Sequence, residues 1–518
     1  MRTAYRVQDV RAAEAALMAR LPEGALMRRA AAGLAAACAG LLRRVYGARV
    51  VLLVGSGANG GDALYAGARL ARRGAGVSAV ALGGRVHEAG LAALLAAGGR
   101  LAADPYAVLA GADLVLDGIT GIGGRGGLRP EAVPVVRAAR ESGAVVVAVD
   151  LPSGVDADTG AVEGEAVRAD ATVTFGAYKP GLLVDPAREY AGAVRLVDIG
   201  LGGLLPAAAE LEALQHADVA RLLPVPGAES DKYRRGVVGV VAGSARYPGA
   251  AVLAVAGALR GGAGAVRYVG PAGGAVLARY PETLVHPGPP GGAGRVQAWV
   301  IGPGLGDTPG VDDVLASDVP VLVDADGLRL LDPAAVRARP APTLLTPHAG
   351  EAAALLGTAR DEVEARRLEA VRELAGRYGA TVLLKGSTTL VADPSPDVPV
   401  RVNPTGTPWL ATAGSGDVLS GLTGSLLAAG LAARDAASAG AYLHGLAARR
   451  GAGAYGAGAY GAHGADGSGA VGSGAVGAHA AHGAGPAPAA GAAPLTAHEV
   501  AEALAGAWRD VREGGGRG

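Results

Sequence analysis

Apolar and polar positions along this chain follow two signatures, short unbroken apolar runs and longer stretches in which Ala, Leu and Met recur at helical spacing. Residues 1–48 carry the second and read as helices. Val50-Val51-Leu52-Leu53-Val54 is then a buried-strand run, cut off by Gly55-Ser56-Gly57, with a helix expected from about Asp62 to Arg73. Further strands are expected at Val77–Leu82, Asp113–Asp117 and Val145–Asp150. Strands separated by helical stretches predict a parallel sheet flanked by helices. Functional loops of such a sheet gather at the carboxyl ends of its strands. Asp117, Asp150 and the Gly55 loop fall there.

Around residues 203–228 the pattern loosens into Leu, Ala and Pro-rich sequence, which marks a domain boundary. A second α/β pattern follows, with strands expected at Val237–Val241, Ala298–Ile301, Val319–Val323, Thr343–Leu345 and Thr381–Leu384. Residues 451–493 hold Gly, Ala, Ser and His with almost no large apolar groups. Such a stretch cannot bury enough surface to offset the cost of ordering it, so a flexible insertion is expected. Its histidines, His463, His479 and His482, are irregularly spaced, and no metal site is expected there. Thr496 to Arg512 reads as a helix, with Thr496 as N-cap and Glu499 completing a capping box. The expected organisation is one domain over 1–205, a linker over 206–224, and a second domain over 225–512 interrupted at 451–493.

At 518 residues the chain is too long for one ordinary domain, which agrees with this division. Its formal net charge is zero, with 47 basic and 47 acidic residues. No basic field attracts nucleic acid or an anionic membrane, and neither partner is expected. The lone cysteine, Cys38, excludes a disulfide framework and a cysteine zinc site. No apolar run spans a membrane without glycine breaks, so a cytoplasmic protein is expected. Arg is used almost to the exclusion of Lys. Only Lys179, Lys232 and Lys385 occur, and only two Asn, Asn59 and Asn403. All five fall inside Gly-rich motifs, which points to positions needing a compact ammonium or a carboxamide.

The first motif is Gly55-Ser56-Gly57-Ala58-Asn59-Gly60-Gly61-Asp62, between a strand and a helix. Small residues let backbone amides approach a phosphate, and a helix N-terminus favours negative charge. Asn59 and Asp62 add a carbonyl oxygen and a carboxylate. Next come Asp117-Gly118-Ile119-Thr120-Gly121-Ile122-Gly123-Gly124-Arg125-Gly126-Gly127, then Asp150-Leu151-Pro152-Ser153-Gly154, then Tyr178-Lys179-Pro180-Gly181. Asn59, Asp117 and Ser153 together offer oxygen donors for a hard monovalent cation. Asp150, ending a buried strand, suits a general base, with Lys179 its cationic partner.

In order and spacing these motifs resemble the NAD(P)H-hydrate epimerase family, over roughly residues 1–205. The resemblance implies a Rossmann-like three-layer domain that binds hydrated NAD(P)H. It implies ligand contacts from Ala58 to Asp62, from Gly121 to Gly127 and from Asp150, and potassium held by Asn59, Asp117 and Ser153. Two departures stand out. Ala58 replaces the first Asn of the family loop and Ala63 its last Gly, and the usual Gly-Thr-Gly is expanded to Thr120-Gly121-Ile122-Gly123.

The second half carries Tyr247-Pro248-Gly249-Ala250-Ala251, Gly302-Pro303-Gly304-Leu305-Gly306, Val323-Asp324-Ala325-Asp326, Thr346-Pro347-His348-Ala349-Gly350-Glu351, Lys385-Gly386-Ser387-Thr388-Thr389 and Gly414-Ser415-Gly416-Asp417. The last is the most informative. Glycines opening a helix make an anion hole, and an Asp there suits a base that deprotonates a hydroxyl attacking a phosphate. This set closely resembles the ADP-dependent NAD(P)H-hydrate dehydratase family, whose fold is a ribokinase-like α/β domain. The resemblance implies that Lys385, Gly386, Ser387, Thr388, Thr389 and Gly416 bind the adenine nucleotide. It places Ala250 or Ala251, Gly304, His348 and Asp417 at the hydrated dinucleotide, with Asp417 the base.

Together the two resemblances imply repair of NADHX and NADPHX, by epimerisation of the R and S forms and ADP-driven dehydration of the S form. Potassium is expected in the first domain, magnesium and ADP in the second, and a homo-oligomer overall. The alternative is a ribokinase-like small-molecule kinase with an N-terminal ligand-binding domain.

Overall fold

The computed structural model describes residues 1–306, 310–453 and 492–515. Most of the stretch read as a flexible insertion, with its three histidines, lies outside the described residues. The chain forms two compact units, which divide between Leu211 and Glu212; Met1 and Arg2 belong with the second. The division falls inside the expected linker. That linker is more structured than its sequence suggested: it holds a strand, Leu211–Ala213, and a helix, His216–Leu222, with a capping box between Gln215 and Asp218. Elements of three and seven residues are too short to show a period.

The first unit is built on seven parallel strands. In spatial order they are Arg100–Leu101, Gly76–Ala81, Arg49–Val54, Leu114–Gly118, Val145–Val149, Ala171–Phe175 and Ala193–Val197. Alternate residues of Arg49–Val54 feed two separate cores. Val50, Leu52 and Val54 pack with Leu34, Leu64 and Leu116. Val51 and Leu53 pack with Val115, Val135 and Val146. A sheet buried on both faces is the three-layer arrangement expected, and it explains why these strands are unbroken apolar runs.

The helix after the Gly55 loop runs Ala58–Ala71, four residues earlier than expected. Gly60 and Gly61 mask its start, since Gly is a poor helix former. Both glycines are demanded by packing. A Cβ on Gly60 would meet the Gly55 carbonyl at 2.3 Å, and one on Gly61 would meet the His87 ring at 2.9 Å. Asn59 and Asp62 therefore stand on the first turns of a helix, not on a loop.

In the second unit seven strands run parallel: Leu284–His286, Ala265–Val269, Val237–Val241, Ala298–Ile301, Val321–Val323, Thr343–Leu345 and Thr381–Leu384. Two antiparallel strands, Thr389–Ala392 and Val400–Asn403, continue the sheet. Lys385 to Ser387 thus turn the chain in a hairpin. The helices Pro248–Arg260 and Ser415–Ala428 cross at glycines. A Cβ on Gly421 would lie 1.9 Å from the Ala254 carbonyl, and one on Gly257 would lie 2.1 Å from that of Val418. This backbone contact fixes where the Gly414–Asp417 turn sits. The C-terminal helix, Ala497–Gly515, has the expected capping box. Glu499 N donates to Thr496 Oγ1 at 3.3 Å and Thr496 N to Glu499 Oε2 at 2.7 Å. No helix among the described residues is long and apolar enough to cross a membrane.

Candidate functional site

In the first unit the carboxyl ends of the central strands open into a cleft of about 790 Å³. Ala58, Asn59 and Asp62 line it, with Gly121, Ile122, Gly123, Gly124, Arg125, Gly127 and Asp150. Gly60 and Gly61 are buried behind that wall, and Gly126 sits in an exposed turn with φ 76°.

Asp150 follows the strand Val145–Val149 with φ 67°, a left-handed conformation unusual for a side chain bearing a Cβ. Such backbone persists only where its surroundings hold it. Here the carboxylate does the holding. Asp150 Oδ1 accepts from Lys179 Nζ at 2.5 Å, from Thr174 Oγ1 at 2.9 Å and from Phe175 N at 3.2 Å. Lys179 is 1 % exposed, and its ammonium also donates to Thr174 Oγ1 and the Phe175 carbonyl. All three ammonium protons have partners, as a buried charge requires.

Behind this pair lies the oxygen set expected to hold a cation. Ser153 Oγ donates to Asp117 Oδ1 at 2.6 Å and Ser153 N to Asp117 Oδ2 at 2.8 Å. Asn59 Nδ2 donates to the Thr120 carbonyl at 3.0 Å, and Thr120 N to Ser153 Oγ at 2.9 Å. Asn59 and Ser153, far apart in sequence, both bond Thr120, and Ser153 in turn holds Asp117. Burial pushes the Asp117 carboxyl up to about 6, against the Ser153 hydrogen bonds that lower it.

Cleft residues that sequence reading missed include Arg129 and Glu131 and, from the helix Val7–Met18, Arg11 and Glu14. The signal of the last two is that of a solvated helix face.

The second unit gathers its site around the hairpin and the N-terminus of Ser415–Ala428. Lys385 Nζ donates to Asp324 Oδ1 at 2.7 Å and lies 3.7 Å from Glu351 Oε2. Burial lowers the pKa of this ammonium, but Asp324 and Glu351 outweigh it and the net shift is upward. A Cβ on Gly416 would lie 3.5 Å from Lys385 Nζ, so the hairpin and the glycine turn meet. Asp417 stands in the first turn of the helix. Burial, then the charge of Asp324, push its carboxyl up to about 7, with Lys385 opposing.

Arg367, 5 % exposed, donates to the carbonyls of Lys385 at 3.0 Å and Thr388 at 3.2 Å, and so pins the hairpin. A Cβ on Gly386 would lie 2.3 Å from its guanidinium. Ser387 and Thr388 continue the turn, and Thr389 Oγ1 donates back to the Gly386 carbonyl at 3.4 Å. Gly304, φ 59°, abuts Ala250, whose Cβ would stand 2.5 Å from one added to the glycine. Ala251 is fully buried in the core, so Ala250 is the residue that fronts this loop. His348 caps the helix Ala349–Leu356. Its Nδ1 accepts from Glu351 N at 3.0 Å, while its side chain remains 58 % exposed.

Of the five rare Lys and Asn positions, three sit in these sites. Lys232 is exposed against the Tyr233 ring. Asn403 is buried and bonds the Ala441 carbonyl and Thr405, a structural role.

With that geometry in view, comparison with known proteins is decisive. The family model described as NAD(P)H-hydrate dehydratase matches residues 238–466, and that of the YjeF-related protein N-terminus matches residues 23–181. The bifunctional NAD(P)H-hydrate repair enzyme Nnr of Mycobacterium leprae is 51 % identical over 463 residues, covering 86 % of this chain and 94 % of that one. The chain belongs to this family. Its counterpart from Corynebacterium glutamicum is 40 % identical over 456 residues, covering 73 % of this chain and 78 % of the relative. Among solved structures, an ADP/ATP-dependent NAD(P)H-hydrate dehydratase from Bacillus subtilis, co-crystallised with ATP and Mg2+, is 28 % identical. It covers 57 % of this chain and 97 % of its own, with a TM-score of 0.46.

Proposed function

We propose that this chain restores hydrated NADH and NADPH in two steps, epimerising R and S forms in the first unit and dehydrating the S form at the expense of ADP in the second. Hydration leaves a hydroxyl on C6 of the nicotinamide ring, beside the ring nitrogen. That carbon is a hemiaminal, so a base that removes the hydroxyl proton loosens its configuration. Asp150 is that base. Lys179 holds it through a 2.5 Å hydrogen bond, and it lines the cleft. Family membership over 86 % of the chain, with both motif sets converging in space, is the observation that carries the reading.

In the second unit Asp417 takes the proton of the C6 hydroxyl, whose oxygen attacks the terminal phosphate of ADP. Phosphate leaves more readily than hydroxide. Its departure, with loss of a C5 proton, restores the ring double bond and yields AMP and phosphate. Lys385 and the amides opening Ser415–Ala428 stabilise the phosphate charge.

Potassium fits the first unit. Asn59, Asp117, Ser153 and the Thr120 carbonyl are all oxygen donors, the set a hard monovalent ion requires, and its charge offsets that of the buried Asp117. Magnesium fits as a partner of the nucleotide. No group of three or more His, Cys, Asp or Glu able to hold a metal occurs among the described residues. A magnesium ion is commonly held by phosphates with one or two carboxylates. Asp326 and Glu351 lie near enough to raise the Asp417 pKa and supply those oxygens. When bound, the ion neutralises phosphate charge. The active form is taken to be a cytoplasmic homo-oligomer.

The test mixes the full chain with both epimers of hydrated NADH, magnesium, potassium and ADP and follows the dihydronicotinamide absorbance. Complete recovery, faster than spontaneous epimerisation, is expected. Recovery that stalls once the S form is consumed removes the epimerase reading. ADP-dependent formation of a stable phosphorylated product, without NADH, replaces the dehydratase with a kinase.

A further inference from the structure

The cleft of the first unit contains more acid than a single base requires. Glu14 lines it from the helix Val7–Met18, together with Asp62 and Asp150. This helix is firmly seated. Val10 and Ala13 are buried on its inner face, and Val7 N donates to Asp158 Oδ1 at 2.7 Å. One turn before Glu14, the Arg11 guanidinium lies 2.8 Å from where a Cβ on Gly123 would be, so this face of the helix reaches the glycine loop. Asp62 Oδ1 is buried with no hydrogen-bond partner. A buried carboxyl oxygen without a partner costs free energy unless the group is neutral or a ligand completes it.

We propose that Glu14 is a further catalytic residue of the first unit: the acid that protonates the ring nitrogen of the hydrated nicotinamide, in the cleft it lines together with Asp62 and Asp150. The inference rests on the epimerase reading above. Asp150 takes the proton from the C6 hydroxyl, the C6–N1 bond breaks as the C6 carbonyl forms, and N1 receives the Glu14 proton. The aldehyde turns about its C5–C6 bond and N1 attacks the opposite face, returning both protons. No bond order or charge is left unbalanced, and no oxidant or reductant is needed. One base alone cannot do this, since the departing enamine nitrogen requires a proton as the carbonyl forms.

The charges around Glu14 suit an acid. Burial raises its pKa, as does Asp150, while Lys179 and Arg11 oppose. Asp62 is raised well above the ordinary carboxylate range by burial, then by Asp150 and Glu14. Arg125, Arg129 and Glu131 are the remaining charged groups of the cleft. Two carboxyls near an ionised Asp150 hold their protons longer than carboxyls in water.

The experiment uses the full chain with purified R-NADHX, ADP, magnesium and potassium, and S-NADHX as a separate substrate. Glu14→Gln is expected to slow R-form recovery about 100-fold in kcat with little change in KM. S-form dehydration is expected to be unchanged, and the alkaline fall of the epimerisation profile, where the acid loses its proton, disappears. Glu14→Asp, which keeps a carboxyl, restores part of the rate and the alkaline limb. A Glu14→Gln protein that epimerises at the wild-type rate with an unaltered profile overturns the proposal. If Asp150→Asn is inactive in the same assay, the epimerase reading survives that result. A wild-type chain that never exceeds spontaneous epimerisation overturns both. Should Glu14→Gln fold poorly by circular dichroism, the Glu14→Asp profile decides. An alkaline limb unchanged in position and a rate equal to wild type count against the proposal.

Discussion

Each unit places a lysine–aspartate pair at the carboxyl ends of its central strands, and each uses it differently. In the first, the paired Asp150 is itself the proposed base. In the second, Asp324 takes up Lys385 and leaves Asp417, the proposed base, without that direct contact. Both sites also store a left-handed non-glycine residue just after a strand, Asp150 at φ 67° and Ala325 at φ 47°. The pairing gives each carboxylate a different set of neighbours. Asp150 Oδ1 lies 2.5 Å from the buried Lys179 ammonium. Asp417, among Asp324, Asp326 and Glu351 and only partly offset by Lys385, is pushed up to about 7 by burial and those charges. A base poised near the working pH combines availability with proton affinity.

The largest effect comes from cutting this contrast at Asp417, the proposed base of the second unit. Asp417→Asn is expected to lower the kcat of S-NADHX dehydration by about 10³-fold while R-to-S epimerisation continues. The same substitution is expected to raise the melting temperature at pH 8, by about 2–4 °C for a gain of about 1 kcal/mol. The sign follows from linkage. A carboxyl raised from 3.8 to about 7 on folding binds more proton in the native state between those values. Its ionisation therefore costs stability as pH rises through that window, and the full cost applies above about 7. In the unaltered chain, dehydration should fall about tenfold per pH unit below about 7 when kcat is followed down to pH 5. A flat profile over that range would remove Asp417 as the base.

Lys179→Met sharpens the other side. Epimerisation is expected to drop by about 10²-fold or more, and the loss of one partner from a buried pair should destabilise the first unit by about 3–5 kcal/mol. Denaturant melts of the variant check this, and a loss below about 1 kcal/mol would mean the pair is solvated in solution. Smallest of all, Thr496→Ala removes the capping box of the C-terminal helix and should cost about 1 kcal/mol with both activities intact at 25 °C.

Much of this was legible in the sequence because glycines and rare residues mark it. Asn59, Asp117, Asp150, Ser153, Lys179 and Lys385 all sit close to glycines at or just after strand ends, where a parallel sheet puts its chemistry, and Asp417 follows the Gly414 turn that opens a helix. The start of the Ala58–Ala71 helix was not legible, because Gly60 and Gly61 answer to a carbonyl and an imidazole from elsewhere in the chain. Arg11, Glu14 and Arg367 were not legible either. On a helix, Glu and Arg between alanines carry the pattern of a solvated face, and nothing local reveals that the face turns into a cleft or under a hairpin. Lys232 and Asn403 show the reverse error, rarity without chemistry.

What the sequence by itself determined was the order of strands and helices, two α/β units, and the residue types able to hold phosphate, proton and cation. Those follow from short-range periodicity and backbone freedom, which act over a few residues. What only the tertiary structure decided was partnership. The linkage of Asn59, Ser153 and Asp117 through Thr120, the choice of Asp324 over Asp417 for Lys385, and the placing of Glu14 and Asp150 in one cleft depend on the approach of distant segments. The pKa of a carboxyl is set by burial and by charges within a few ångströms, and those neighbours exist only once the chain has folded.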